Sequence, residues 1–556
     1  MTLAVAVPIG AAGCTGSPDR TLYVGGTILT MDAAGTVAEA VRVEGERIAA
    51  VGTEADVRAT TPAGTPIVEL GERALLPGFI DAHGHFPGMG VYAIHADLNS
   101  PPIGEVENID DIVAILAARA REERAGAWIL GLGYDDTLLA ERRHPTRHDL
   151  DRASADHAIV IMHISGHLAV ASSRALAELG IDASTPDPEG GHIQRDAVTG
   201  EPTGVLEETA AGPVLDMLQR PSALDGLRVV RAAGRIYARA GVTTAQNGLT
   251  TRRQIRLLSW ASRLGLVPIR LILWPDATAG EAILDGTLDT DTYDPLWVRV
   301  GAMKLVADGS LQGYTGYLSR PYYTTPDDDP DYRGYPRMPA AELDDRLTRY
   351  HARGLQVAVH GNGDAAIDMI LDAVEHAGGD RPVGDARHIV IHAQMARDDQ
   401  LDRMKQLGVI PSFFALHPYY WGDRHREVFL GPERAARISP TASALARELP
   451  FTIHADAPVV PMEALRLVWS AVNRRTRSGV VLGPDERIDA MTALRAVTID
   501  AAYQHFEEDL KGSLEPGKLA DLVILSRSPL DDPATIDSIE VLETIVGGRT
   551  IHSAAR

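Results

Sequence analysis

An α/β fold built on a (β/α)8 TIM-like barrel is what this 556-residue sequence predicts, with a small β-sandwich assembled from both termini and an inserted subdomain after barrel strand 1. Three observations carry the prediction. Short apolar runs alternate with helical patterns through the middle of the chain. Both ends read instead as short alternating strands with Gly- and Asp-rich turns. Metal-capable side chains stand at the C-terminal ends of several runs, the end at which a barrel gathers its chemistry.

Eight runs meet the strand pattern: LLPGFIDAH from Leu75, VTTAQN from Val242, IRLILW from Ile269, VRVGAMKLVAD from Val298, LQVAVHG from Leu355, HIVIHAQ from His388, VIPSFF from Val409 and FTIHAD from Phe451. Helical patterns such as AAIDMILDAVEHA after Asp364 and RDDQLDRMKQLG after Ala396 lie between them. The stretch between the first and second runs is far longer than one helix requires. It holds a helical pattern, DDIVAILAARAREERA, and turn-rich sequence, TPDPEGGHIQRDAVTGEPTG, and is expected to be the insert, about 98–224. The sandwich is expected from 20–74 and 511–556, with the barrel over 75–510.

Composition narrows the function. Against 53 Lys+Arg stand 76 Asp+Glu, a formal charge of −23, so no concentrated basic surface is available to neutralise phosphates, and a nucleic-acid partner is not expected. Hydrophobic residues make up 45%, as in ordinary globular proteins. No apolar run reaches the roughly 20 residues of a membrane-spanning helix. The single cysteine, Cys14, cannot form an internal disulfide; it follows LAVAVPIGAAG and precedes TGSPDR, so residues 1–19 resemble a lipoprotein signal and linker in which Cys14 takes a lipid anchor. The opening lacks Lys and Arg, which leaves a cytoplasmic location equally open. A homodimer is the default assembly.

His83, His85, Lys304, His360, His392 and Asp456 end five of the eight runs. In a barrel those ends share one mouth, so the histidines and the aspartate are candidate ligands of a divalent cation. His83 and His85, two apart on an extended strand, point the same way. Lys304 has no lone pair as an ammonium; carboxylated by carbon dioxide it becomes an anionic ligand able to bridge two ions, and otherwise it pairs with Asp308 or Asp456. Asp456 suits the proton shuttle of a hydrolysis. Around the mouth, SFFALHPYYWGDRH places His417, Tyr419, Tyr420 and Trp421 on a loop, and Gln312 and Tyr314 follow the lysine run. All are candidate substrate contacts.

The motifs PGFIDAHGH, GAMKLVADGSLQGYTGYL, VAVHGNGDAAID, IHAQ, HADAPV and GSLEPGKLADLVIL, in that order over nearly the whole chain, resemble the amidohydrolase superfamily, in particular the YtcJ-like branch related to N-substituted formamide deformylase. The resemblance implies that His83, His85, a carboxylated Lys304, His360 and His392 bind one or two ions, zinc first and manganese, iron or cobalt as alternatives, with Asp456 as the acid of the last strand. It also places His167 near the substrate. Two departures stand out: Ile391 where relatives often carry glutamate, and His454-Ala455 in place of a commoner Gly-Ser. The expected activity is hydrolysis of a non-peptide C–N bond in a small molecule, whether amide, N-acyl, N-formyl or cyclic amide. Ester or lactone hydrolysis on the same site, and a non-catalytic small-molecule-binding envelope protein, are the alternatives.

Overall fold

The computed structural model describes residues 20–555 apart from 137, 165–167, 189–190, 220–221, 291–293, 326–328 and 380–382. Cys14 and His167 therefore lie outside the described residues.

The middle of the chain forms two parallel sheets. One holds Phe79–Ile80, Val242–Thr250, Arg270–Pro275 and Val298–Val300; the other holds Met303–Val306, Val357–Gly361, Ile389–His392, Ile410–Phe413 and Thr452–Ile453, each strand beside its chain neighbour. Parallel strands covered on both faces read as unbroken apolar runs, and RLILWP and IVIH are buried throughout. Helices cover the outside: Asp364–Gly378 buries Ala366, Ile367, Ile370, Leu371, Ala373 and Val374, the helical stripe that its sequence displays.

The run from Val298 that reads as one strand is two. It breaks at Gly301-Ala302, giving its first half to one sheet and its second to the other. The glycine has a steric reason: a Cβ there would lie 2.9 Å from Cδ1 of the buried Trp274. At the opposite seam, backbone bonds join the last strand's continuation to the first: Asp456 N–H donates to His83 O at 3.2 Å and His85 N–H to Ala457 O at 2.7 Å.

Segments near both ends of the described residues enter a single eight-stranded sheet. Arg20–Leu29, Val37–Glu44, Arg47–Gly52 and Ala74–Pro77 come from the N-terminal side, Leu522–Leu525, Val541–Val546 and Arg549–Ser553 from the C-terminal side, and Ile67–Glu69 pairs off the main path. Ala74–Pro77 meets Leu522–Leu525 antiparallel, so LLPGFIDAH splits after Pro77 between this sheet and the parallel one.

The long stretch after the first strand carries six strands where its sequence pattern predicts helix and turns. Ala96–Asp97, Trp128–Tyr134 and Ala158–His163 are parallel, while Leu168–Ala171, Pro202–Glu208 and Gly191–Arg195 extend the sheet antiparallel. The segment TPDPEGGHIQRDAVTGEPTG, whose Gly and Pro predict turns, holds a hairpin whose strands are short and polar enough to hide the alternation. Among the described residues no helix is long and apolar enough to cross a membrane.

Candidate metal centre

All six residues expected at the mouth converge. Nε2 of His83 lies 3.4 Å, and Nε2 of His85 3.3 Å, from Oδ1 of Asp456. Ligand atoms of these three residues all lie within 4.8 Å of one another, a spacing that one metal ion can span. Lys304 Nζ is 3.3 Å from the same His83 nitrogen. His360 Nδ1 and His392 Nε2 face each other at 3.0 Å, and the His392 ring is 5.6 Å from that of His83. His392 and Asp456 are held at φ of 70° and 55°, the left-handed region that costs a side-chain-bearing residue energy and recurs at functional sites.

Hydrogen bonding fixes which nitrogen faces the cavity. Oε1 of Gln246 accepts the N–H of Gly84 at 2.9 Å, so that amide atom is the oxygen. His83 Nδ1, 3.1 Å from it, must then carry hydrogen, leaving Nε2 as an acceptor lone pair with Lys304 Nζ 3.3 Å away. Two acceptors, the His83 lone pair and the Asp456 carboxylate, thus face each other, and Asp456 Oδ1 is buried with no hydrogen-bond partner among the described residues. Two buried acceptors in contact repel unless a cation lies between them, so the donor set fits a divalent ion.

Electrostatics agree. Burial opposes ionisation of Asp456, yet His85, His454 and Lys304 offset it and hold the carboxyl below its usual range. Burial, then Lys304 and the neighbouring imidazoles, hold His83 neutral well below its ordinary value; burial chiefly takes His360 down to about 4. Burial pulls the Lys304 ammonium down to about 7. Lys304 makes no ion pair among the described residues. Asp308, one of its expected partners, instead accepts backbone N–H groups from Tyr317, Asn362 and Gly363 at 2.8–2.9 Å.

The expected substrate contacts divide. His417 is buried, its Nδ1 2.9 Å from Nε2 of His425 and its ring 4.5 Å from both Phe414 and Trp421. Phe414 in turn lies 5.9 Å from His392, so an aromatic wall of Phe414, His417 and Trp421 abuts the centre, with Tyr419 and Tyr420 further along it. Tyr314 packs against Tyr322 and Phe429. Gln312 keeps a shielded Oε1 without a partner among the described residues.

Two site residues escape sequence reading, Gln246 and Trp274, while His454 shows there only as a departure from the resembled family's pattern. Trp274 stacks on His83, ring centroids 5.4 Å apart and planes 14° from parallel. Gln246 and Trp274 stand within predicted runs, a position that flags the ligands, but neither is a metal-binding residue type. A separate group, Asp135, Asp136 and His163, lies in the inserted sheet, with His163 Nε2 3.1 Å from Asp136.

Comparison with known proteins places the arrangement. The chain is 28% identical to N-substituted formamide deformylase of Arthrobacter pascens, over 95% of this chain and 97% of that protein. It is 28% identical to YtcJ of Bacillus subtilis, over 96% and 99%. The crystal structure of a metal-dependent hydrolase from Pyrococcus horikoshii OT3 superposes with a TM-score of 0.75 at 25% identity, covering 96% of this chain and all of that one. With residues 67–552 matching the family as a whole, this chain belongs to the amidohydrolase family and is an amidohydrolase.

Proposed function

We propose that this chain hydrolyses a non-peptide C–N bond of a small molecule, an N-acyl, N-formyl or cyclic amide, in a divalent-metal site at the mouth of a closed (β/α)8 barrel. The observation that carries the reading is the buried Asp456 Oδ1, with no well-formed hydrogen bond among the described residues, set 3.4 and 3.3 Å from the imidazoles of His83 and His85. Barrel closure is supported by the backbone bonds at the Asp456–His83 seam and by the run through Gly301 that serves both sheets. Kinship with N-substituted formamide deformylase favours amides over esters.

His83, His85, His360, His392 and Asp456 would hold the metal, zinc being the expected ion, with Lys304 joining as a carbamate. When bound, the ion supplies Lewis acidity, which acidifies water and stabilises charge on a carbonyl oxygen. The chain does the rest. Asp456, ionised at neutral pH, takes a proton from the attacking water and returns it to the leaving nitrogen, so the amide and water become an acid and an amine. Gln246 orients His83, and Trp274 braces its ring. The aromatic wall of Phe414, His417 and Trp421 shields one side of the pocket from water and offers an apolar surface to the acyl or amine substituent.

Screening N-formyl and N-acyl compounds with zinc- or manganese-loaded protein tests this. Asp456→Asn is expected to lower kcat by about 10²–10⁴-fold, the contribution of a positioned proton shuttle. Turnover unaffected by that change, or turnover of esters and lactones without amides, overturns the assignment. Carboxylation of Lys304 adds carbon dioxide to the neutral amine and releases one proton. ¹³C-bicarbonate is expected to give a carbamate signal in the folded protein that Lys304→Ala lacks; an identical spectrum from both proteins removes the carbamate from the mechanism.

A further inference from the structure

His454 stands where the resembled family more often carries glycine, and its surroundings give it a definite task. It is fully buried, and both ring nitrogens are engaged: Nε2 lies 3.1 Å from His392 Nδ1, and Nδ1 lies 2.9 Å from Ser412 Oγ. It therefore has no nitrogen left to bind a metal.

The hydrogen positions follow from the far end of the chain of contacts. Gln504 Nε2 donates to the Ala82 carbonyl at 2.8 Å, which fixes its amide and leaves Oε1 as an acceptor. Thr452 Oγ1 is 2.6 Å from that oxygen, so the single hydroxyl hydrogen of Thr452 goes there. The Ser412 and Thr452 hydroxyls are 2.8 Å apart, and Thr452 is placed to donate to either Ser412 or Gln504; its single hydrogen serves the shorter contact, to Gln504 Oε1, which leaves the Ser412 hydrogen to fill the contact with Thr452. Ser412 then accepts from His454 Nδ1–H. His454 Nε2 is consequently an acceptor, and His392 Nδ1 must donate to it. Reversing any one link leaves two lone pairs in contact in the interior, a cost of about 1–3 kcal/mol. Ser412, Thr452, His454 and Gln504 are all completely buried, so water cannot relieve such a mismatch.

We propose that His454 is a positioning residue: through the relay Ala82–Gln504–Thr452–Ser412–His454 it holds His392 in the tautomer that keeps Nε2 unprotonated and turned into the metal centre. The proposal rests on the metal-site reading above. The relay starts at the carbonyl of the residue before His83 and ends on His392, so one ladder of hydrogen bonds ties ligands from opposite sides of the site. A partner on the non-ligating nitrogen is worth about 10–100-fold in metal affinity at metal-bound histidines. Without His454, Nδ1 of His392 loses its acceptor and the competing tautomer, with hydrogen on Nε2, becomes accessible.

The test measures zinc affinity by chelator competition on the full-length protein, with far-UV circular dichroism of the metal-free form as a folding control, for His454→Leu and His454→Gln. Glutamine can present an oxygen to His392 and an N–H to Ser412; leucine can do neither. His454→Leu is expected to bind zinc about 10–100-fold more weakly, with His454→Gln restoring most of the loss, and the visible spectrum of the cobalt-loaded leucine variant is expected to differ from wild type. Wild-type affinity and spectrum in the folded leucine variant overturn the proposal. Equal weakening by leucine and glutamine also overturns it, because the effect is then one of packing. A wild type that binds no zinc defeats the metal-site reading itself, whereas tight wild-type binding unchanged in both variants defeats only the role of His454.

Discussion

Single side chains at the centre owe their geometry to neighbours without ligand chemistry. Gly248 is one: a Cβ built on it would stand 2.3 Å from Cε1 of His83, whose ring is already held by stacking against Trp274. Gly248→Ala is expected to displace His83 and lower metal occupancy while circular dichroism stays unchanged; full occupancy, measured by elemental analysis, would show that the ring can give way without cost. Gly84, between the two histidines, faces the same constraint, since a Cβ there would lie 2.6 Å from Asp81 Oδ2. The glycine in His83-Gly84-His85 is legible in sequence as permission for close approach. What approaches is not, because Asp81 and Gln246 reach it only after folding.

Elements are joined by a few buried polar clamps. Arg270, in the strand Arg270–Pro275, makes a two-pronged bond to Asp521, beside the strand Leu522–Leu525, at 2.7 and 3.1 Å; both side chains are almost wholly buried. Asp521 also accepts the N–H of Gly547, and Arg270 lies over the Trp297 ring. This clamp pins the sheet of the two termini to the parallel strands. Asp521→Ala strands a guanidinium in the interior, and breaking one partner of such a pair costs about 3–5 kcal/mol. The expected outcome is a clearly lowered urea midpoint with turnover retained by the folded fraction. An unchanged midpoint would mean that the sheets hold together by apolar contact alone. The eight apolar runs were readable in sequence because parallel strands are apolar throughout. The six inserted strands were not, for several are short or polar, and neighbouring Gly and Pro residues outweigh a weak alternation.

Across the whole molecule, burial of neutral histidines sets how acid affects stability. Burial takes His388, His425 and His505 each down to about 3, from 6.5. In the unfolded chain these rings protonate as pH falls through 6.5; in the folded protein they stay neutral down to about 3. The unfolded state therefore binds more protons in that window, and stability is full above 6.5 and declines as pH falls towards 3. Each ring contributes up to about 1.4 kcal/mol per pH unit within the window. Denaturant midpoints between pH 7 and pH 4 are expected to fall steadily, and less steeply in His388→Gln; a flat profile would mean that these rings can be protonated in place.

The sequence by itself determined the strand runs, the residues at their ends and the family motifs, because period, composition and short spacing are local properties of a chain. Tertiary structure alone decided that Gln246 sets the tautomer of His83, that Asp308 serves backbone amides and not Lys304, and that His454 braces His392. Most of those contacts join residues far apart in the chain, 42 positions for Ser412 with His454, 54 for Asp308 with Asn362 and 163 for His83 with Gln246, and hydrogen-bond direction across such separations exists only once the strands lie side by side.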